Sequence, residues 1–157
     1  MRAKFLASDI FIFFSSIKEA NSLLFQSRFK FSECCQNVFC YTDLRGDIRL
    51  FISGIGKDDT VRFFEEFDKN RDKYFTNNNR DRLYFKFGTC GILDRKYEKL
   101  KIVIPRYVCC NNLCKVTDEV LSLKKFYVDD KLLTVDKILE DVDKAAGYNN
   151  LGYSFVD

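Results

Sequence analysis

The chain has 157 residues, 46% apolar and 31% charged, the balance of an ordinary folded domain with a real core, which excludes disordered and collagen-like classes. A net charge of +3 is too small and too dispersed to point to nucleic acid or a membrane surface. Histidine is absent, which removes Ser-His-Asp and Cys-His catalysis, His-ligated zinc and any imidazole base; carboxylates, hydroxyls, backbone amides, Lys, Arg and Cys are left to carry chemistry.

Near the amino terminus Arg2 and Lys4 precede the apolar run Ile10 to Phe14. Asp9 stands between those basic residues and the five-residue run, and Lys18 and Glu19 follow it, so it reads as a first buried strand and not as a signal peptide. No other run approaches the ~18 apolar residues of a membrane span. Ser15 and Ser16 lead into a helix over Ile17 to Phe25; either serine can cap its amides, with Glu19 near its positive end. Open α/β sheets also bind ligands at such strand-to-helix junctions, but on local sequence alone plain capping is the simpler reading.

Val38 to Thr42 and Ile48 to Ile52 read as strands joined by a hairpin turn over Asp43 to Asp47, which makes Arg45-Gly46-Asp47 a turn and not an adhesion tripeptide. Ser53-Gly54-Ile55-Gly56-Lys57 follows directly. A helix then starts near Asp59 or Thr60, with Val61, Phe64 and Phe67 on one face. This has the outline of a phosphate-binding turn without being a P-loop, because the glycines are two apart and no Lys-Ser/Thr closes it. The helix decays into a solvated charge run at Asp68 to Lys73 and a loop at Asn77 to Arg80.

Leu83 to Phe87 is a further strand, running into Gly88-Thr89-Cys90-Gly91. A turn of that kind can bring backbone amides and one hydroxyl up to an anionic or sugar-like ligand, although most such turns only redirect the chain. The apolar run Ile102-Val103-Ile104 stops at Pro105. Tyr107 to Leu113 leaves the sheet as a loop or short strand, and Lys125 to Val128 is another strand. Val135, Ile138, Leu139 and Val142, at i, i+3, i+4 and i+7, predict an amphipathic helix continuing through Ala145 and Ala146 to a stop at Gly147. Leu151 to Val156 starts a last strand. The alternation predicts one α/β domain over residues 1–157, a mixed twisted central sheet flanked by helices.

Seven cysteines, an odd number, with Cys34-Cys35 and Cys109-Cys110 adjacent, suit no regular disulfide framework. The expectation is reduced, mostly buried thiols in a cytoplasmic protein. A thiolate metal site on Cys109, Cys110 and Cys114 lacks a paired C-x-x-C, and redox chemistry is the third reading. The sequence calls for no metal and no cofactor.

Three segments in order resemble the nucleoside phosphorylase and nucleosidase superfamily, which holds purine nucleoside phosphorylases and methylthioadenosine/S-adenosylhomocysteine nucleosidases. Ile10 to Leu24 is similar to its opening strand and Glu-bearing turn. Phe51 to Lys57 is similar to its Ser-Gly-x-Gly-Lys loop. Phe87 to Asp94, followed by Lys101 to Pro105, resembles its Gly-Thr/Ser-Ala-Gly-x-Leu turn and the next strand. The resemblance implies a phosphorylase/hydrolase-like α/β fold and cleavage of the N-glycosidic bond of a purine nucleoside, with water or phosphate as nucleophile and no cofactor. A homo-oligomer is compatible with it.

By the same resemblance, Ser53 and Gly54 line a loop beside the ligand, and the Gly88-Thr89-Cys90-Gly91 turn faces phosphate or the attacking water next to the ribose. Phe155 falls where some members stack an aromatic ring on the purine. Glu19 lies near the water-activating glutamate of nucleosidases, one residue before the aligned position, which Ala20 occupies. Phosphate-using members carry Gly and Arg where Ser15 and Ser16 stand, so hydrolysis fits better than phosphorolysis. Family members continue past Asp157 into a Met-Glu that holds the ribose and a Ser-Asp that protonates the purine. The resemblance therefore implies the first two-thirds of the fold, incomplete at its C-terminus, with impaired catalysis. The alternative is an inactive truncated paralogue or fragment serving as a nucleoside-binding or interaction module.

Overall fold

The computed structural model describes residues 8–26, 28–34, 38–75, 81–99, 101–110, 113–117, 121–135 and 139–157. Arg2, Lys4, Cys35, Asn77 to Arg80 and Ile138 lie outside the described residues. The chain forms two compact units, Met1–Gly88 and Thr89–Asp157.

The first unit contains β1 (Ser8–Phe14), α1 (Ile17–Gln26), β2 (Lys30–Cys34), β3 (Val38–Thr42), β4 (Ile48–Ile52), α2 (Lys57–Asn70), a short 3-10 helix (Arg71–Tyr74) and β5 (Asp81–Phe87). They build a five-stranded sheet of order β2-β3-β4-β1-β5. Strands β4, β1 and β5 are parallel, while β2 and β3 add antiparallel. Because β1 is central and covered on both faces, its sequence is an unbroken apolar run and not an alternating one. Phe11 and Phe13 of β1 and Phe51 of β4 pack with Phe63 and Phe67 of α2 and with Tyr74. On the opposite face Phe14 and Leu50 pack on Ala20 of α1, with Leu23 and Leu24 beside them. The aromatic side is a continuous ring cluster: Phe67 stacks on Tyr74 at 5.2 Å, and Phe51 meets Phe67 edge-on at 5.2 Å. Each such pair contributes ~0.5–1.5 kcal/mol beyond the area it buries.

The hairpin between β3 and β4 is as expected. Asp43 Oδ1 accepts from the Ile48 amide at 3.0 Å, and Gly46 supplies φ +78°. Strand β2 was not expected, because Lys30-Phe31-Ser32-Glu33-Cys34 is a short, half-polar edge strand with a weak alternation signal. The apolar face of α2 also differs from the expected one. Phe63 and Phe67 are buried, whereas Val61 is 49% and Phe64 37% exposed. The helix runs through the charge run as far as Asn70 and then tightens to Tyr74, whose ring is buried against Phe67. That aromatic anchor overrides the low helical signal of the charged stretch.

The second unit contains β6 (Gly91–Ile92), β7 (Ile104–Cys110), β8 (Leu113–Val116), a 3-10 segment (Leu121–Phe126), β9 (Tyr127–Leu133), α3 (Val142–Asn150) and β10 (Tyr153–Val156). Its sheet has the order β6-β10-β9-β7-β8. Strands β10, β9 and β7 are parallel, with antiparallel β6 and β8 outside them. Among the described residues, Cys109, Leu133, Phe155 and Val156 are its buried apolar residues. The α/β class with mixed sheets flanked by helices therefore holds, its strands divided between two sheets.

Two expectations in this unit are corrected. Pro105 does not end a strand: it is the second residue of β7, where the pairing with β9 shifts register between Pro105 and Tyr107. An irregularity of that kind accommodates a residue without an N–H. Tyr107 to Cys110 accordingly stays in the sheet. The last helix begins at Val142, not Val135, and Gly147 lies inside it. Asp141 sets the start, its side chain accepting from the amides of Asp143 and Lys144 at 2.9 and 3.2 Å. Val135 instead donates its amide to Asp157 O at 3.0 Å, and Val142 is 80% exposed. The cap decides the boundary over the i, i+3, i+4, i+7 pattern. Among the described residues no helix is long and apolar enough to cross a membrane.

Candidate functional site

Because β4, β1 and β5 are parallel, their C-terminal ends emerge at one edge of the first sheet. The chain leaves β1 into α1 on one face and β4 into α2 on the other. This divergence is the kind of switch point at which open α/β sheets bind ligands. Ser15 and Ser16 follow β1, Ser53 and Gly54 follow β4, and Lys86 and Gly88 lie at the end of β5.

Ser16 and Glu19 form a capping box. The Glu19 amide donates to Ser16 Oγ at 3.4 Å, and Glu19 Oε2 accepts from the Ser15 and Ser16 amides at 3.1 and 3.3 Å. The other carboxylate oxygen, Oε1, lies 4.0 Å from the position a Cβ would take on Gly88. One residue thus closes the helix start with one oxygen and turns the other toward the end of β5. Ser53 is 1% exposed. Its amide and hydroxyl both donate to Phe14 O, at 2.8 and 3.2 Å. Gly54 follows at φ +87°, and a Cβ there would lie 2.6 Å from Asp59 Cβ, so glycine is required on two counts.

Lys86 completes the group. Its ammonium donates to Ser15 Oγ at 2.6 Å and to Ser53 Oγ at 3.2 Å, tying the ends of β1, β4 and β5 together. Sequence reasoning missed it. The available signal was a lone charge within Leu83-Tyr84-Phe85-Lys86-Phe87, two residues before a glycine turn. The cluster offers a carboxylate able to accept a proton from water, and an ammonium with two hydroxyls able to hold an anionic or polyhydroxylated ligand. The Gly54–Lys57 loop is less suited to anions, since the first turn of α2 carries Asp58 and Asp59, which oppose negative charge at that helix end.

No family model and no curated protein matches the chain in sequence. Solved structures do match. A 5'-methylthioadenosine/S-adenosylhomocysteine nucleosidase from Helicobacter pylori superposes with TM-score 0.75 at 12% identity, over 96% of this chain and 75% of that one. The corresponding nucleosidase from Colwellia psychrerythraea 34H, in complex with adenine, gives TM-score 0.71 at 17% identity, over 96% and 72%. A futalosine hydrolase from Helicobacter pylori gives TM-score 0.73 at 11% identity, over 97% and 75%. The chain has the nucleoside phosphorylase/nucleosidase fold.

Within this nucleosidase fold, the remaining sequence-predicted residues begin or lie in the second unit. Gly91 pairs with Val156 across β6 and β10, and a Cβ on it would meet Val156 Cγ1 at 3.0 Å, which gives this glycine a packing reason. Cys90 is a free, exposed cysteine. Desolvation, and then the Asp157 carboxylate, push its thiol above the ordinary value, which keeps it protonated and a weak nucleophile at neutral pH. Phe155 is 1% exposed, with the Tyr97 ring 4.7 Å from its own.

Tyr97 is held in place by Asp130, to which its hydroxyl donates. Asp130 also accepts from Ser154 Oγ at 2.7 Å and pairs with Lys96 at 3.0 Å. Burial, followed by the hydrogen bond and charge of Asp130, pushes the Tyr97 phenol up to about 12. For Asp130 itself, burial raises the pKa, but the hydrogen bonds from Tyr97, Ser154 and Lys96 together bring it below the ordinary carboxylate value.

The cysteine expectation is corrected at one pair. Cys109 and Cys114 form a disulfide, while Cys40, Cys90 and Cys110 are free. With two of its three thiolates joined, the trio Cys109, Cys110 and Cys114 cannot ligate a metal in this state.

Proposed function

We infer that the protein binds a purine nucleoside at the C-terminal ends of β1, β4 and β5 and cleaves its N-glycosidic bond, with water as the nucleophile. The observation that carries the reading is the convergence of Glu19, Ser15, Ser53 and Lys86 on one sheet edge, in a fold whose solved neighbours include nucleosidases and a hydrolase. Glu19 accepts a proton from water as the water oxygen bonds to the anomeric carbon, and the base leaves with the bond electrons. Ser15 and Lys86 hold the polar side of the ligand, and the buried Ser53 hydroxyl fixes the Lys86 ammonium from behind.

A second reading is favoured by Lys86. An ammonium already bonded to two hydroxyls is a natural anion holder, which supports inorganic phosphate as the nucleophile even though no arginine neighbours Ser15 and Ser16 in the sequence. One experiment addresses both readings. Purified protein is incubated with 5'-methylthioadenosine, adenosine and inosine, with and without inorganic phosphate, and free base and sugar product are assayed. Base with free sugar supports hydrolysis, and sugar 1-phosphate supports phosphorolysis. No release above a boiled control in any arm sinks catalysis, and nucleoside binding without release leaves the binding-module alternative standing.

A further inference from the structure

The disulfide occupies a particular place in the second sheet. Strand β8 is one of its two outer strands, paired among the described residues with β7 alone. All four of its residues are exposed, with Leu113 at 76% and Val116 at 65%. An edge strand that buries no side chain gains little from packing. Among the described residues three things fasten it: the backbone ladder, the Cys109–Cys114 bond near its Leu113 end, and Thr117 at the far end. Thr117 donates its amide to Arg106 O at 2.9 Å and its hydroxyl to Pro105 O at 2.8 Å. Cys109 and Cys114 face each other directly in register, 4.0 Å apart at Cα. The two sulfur-bearing residues differ in access: Cys109 is fully buried, and Cys114 is exposed.

We propose that Cys109–Cys114 is a redox clamp on the sheet edge, which holds the Leu113 half of β8 when oxidised and frees Leu113 to Lys115 when reduced, with Thr117 keeping the strand tethered. The exposed residue of the pair is the point of attack. A thiolate of a dithiol reductant bonds to Cys114 Sγ, the Cys109–Cys114 bond breaks, and Cys109 leaves as a thiolate that takes up a proton. The reductant's second thiol then displaces Cys114 from the mixed disulfide, leaving two protein thiols and one oxidised dithiol. Freed of the bond, β8 has no buried side chain to return it to the ladder, and the edge of β7 with its buried Cys109 becomes accessible. Cys110 is a neighbour and not a member of the pair, since adjacent strand residues point to opposite faces. The inference does not depend on nucleoside cleavage.

The test uses the whole chain, prepared without reductant. Alkylation and peptide mapping should find Cys109 joined to Cys114. Amide exchange is then compared between the oxidised protein, the protein in dithiothreitol and Cys114→Ser. Residues 113–115 are expected to exchange about tenfold faster or more in both reduced forms, with a smaller change at Thr117. Strands β1 and β4 should be unaffected, and Cys109 should become alkylatable only after reduction. Free Cys109 and Cys114 in the oxidised preparation, or a bond to Cys110 instead, overturns the proposal. So does unchanged exchange in β8 on reduction, and so does global unfolding, which would make the bond a general staple and not a local clamp.

Discussion

Glu19 has two jobs available, helix cap and general base, and substitution can separate them. Its Oε2 takes two amide hydrogen bonds at 3.1 and 3.3 Å at the start of α1. Glu19→Gln keeps an acceptor oxygen there but removes the charge facing the helix N-terminus, a loss of ~0.3–1 kcal/mol. Ser16→Ala removes the reciprocal half of the box, the 3.4 Å bond from the Glu19 amide, at a cost of ~1 kcal/mol. Against a typical stability of ~5–15 kcal/mol, either loss leaves the protein almost wholly folded, so capping alone changes the cleavage rate less than about twofold. A general base is different, because its removal costs ~10²–10⁴-fold in rate. Denaturation midpoints and base release from the same nucleosides should therefore show two variants of similar stability. Glu19→Gln should be slower by at least about a hundredfold, and Ser16→Ala should be near wild type. Equal rates in the two variants would refute the base assignment and leave Glu19 a cap.

Lys86→Gln should fold normally, since Lys86 is exposed, and should weaken cleavage or ligand binding by about 10- to 100-fold, the scale of a charged hydrogen bond; an unchanged KM and kcat would remove it from the site. Gly54→Ala should lower stability by ~1–3 kcal/mol in chemical denaturation, because the residue sits at φ +87° with Asp59 Cβ 2.6 Å from the new methyl group. Reducing Cys109–Cys114 should cost roughly 2 kcal/mol, as expected for a loop this short, read as a shift of the denaturant midpoint with and without dithiothreitol. Tyr97 holds its proton to higher pH in the folded chain than in the unfolded one, so its contribution is complete below the ordinary tyrosine value near ~10 and disappears as pH rises through about 12. Phenolate absorbance should lose a late-titrating component in Tyr97→Phe, and the same substitution should flatten the alkaline fall in stability.

What was legible in the sequence is the part dictated by local chemistry. Val38–Thr42 and Ile48–Ile52 are found as expected, because two short apolar, β-branched and aromatic runs on either side of a Gly-containing turn leave few alternatives. The α1 start was legible for the same reason, as Ser16 and Glu19 stand at capping-box spacing. Failures occurred where a distant partner or a competing local signal decided. Tyr74 extends the end of α2 because its ring meets Phe67. Pro105 is admitted to β7 by a register shift against β9, and periodicity along one strand cannot show that shift. The apolar spacing from Val135 to Val142 was real in sequence, but Asp141 caps a later helix.

The site divides along the same line. The placement of Ser15, Glu19, Ser53 and Gly54 where a strand hands over to a helix was legible, because small or capping residues mark such positions. Lys86 was not, because its meaning comes from strand order. β5 follows α2 in the chain, yet it pairs with β1 and not with β4. In that register Lys86 is aligned with Phe13 of β1, which is aligned with Phe51 of β4, so the lysine reaches the hydroxyls just beyond both ends. Had β5 been added beside β4, the same lysine would have had β1 on the far side of an intervening strand, ~9–10 Å away at the usual strand spacing, and the contact with Ser15 would not form. The crossover of α2 over β1 is therefore what assembles the cluster. A change that alters β1–β5 pairing should disable the site even with all four polar side chains intact.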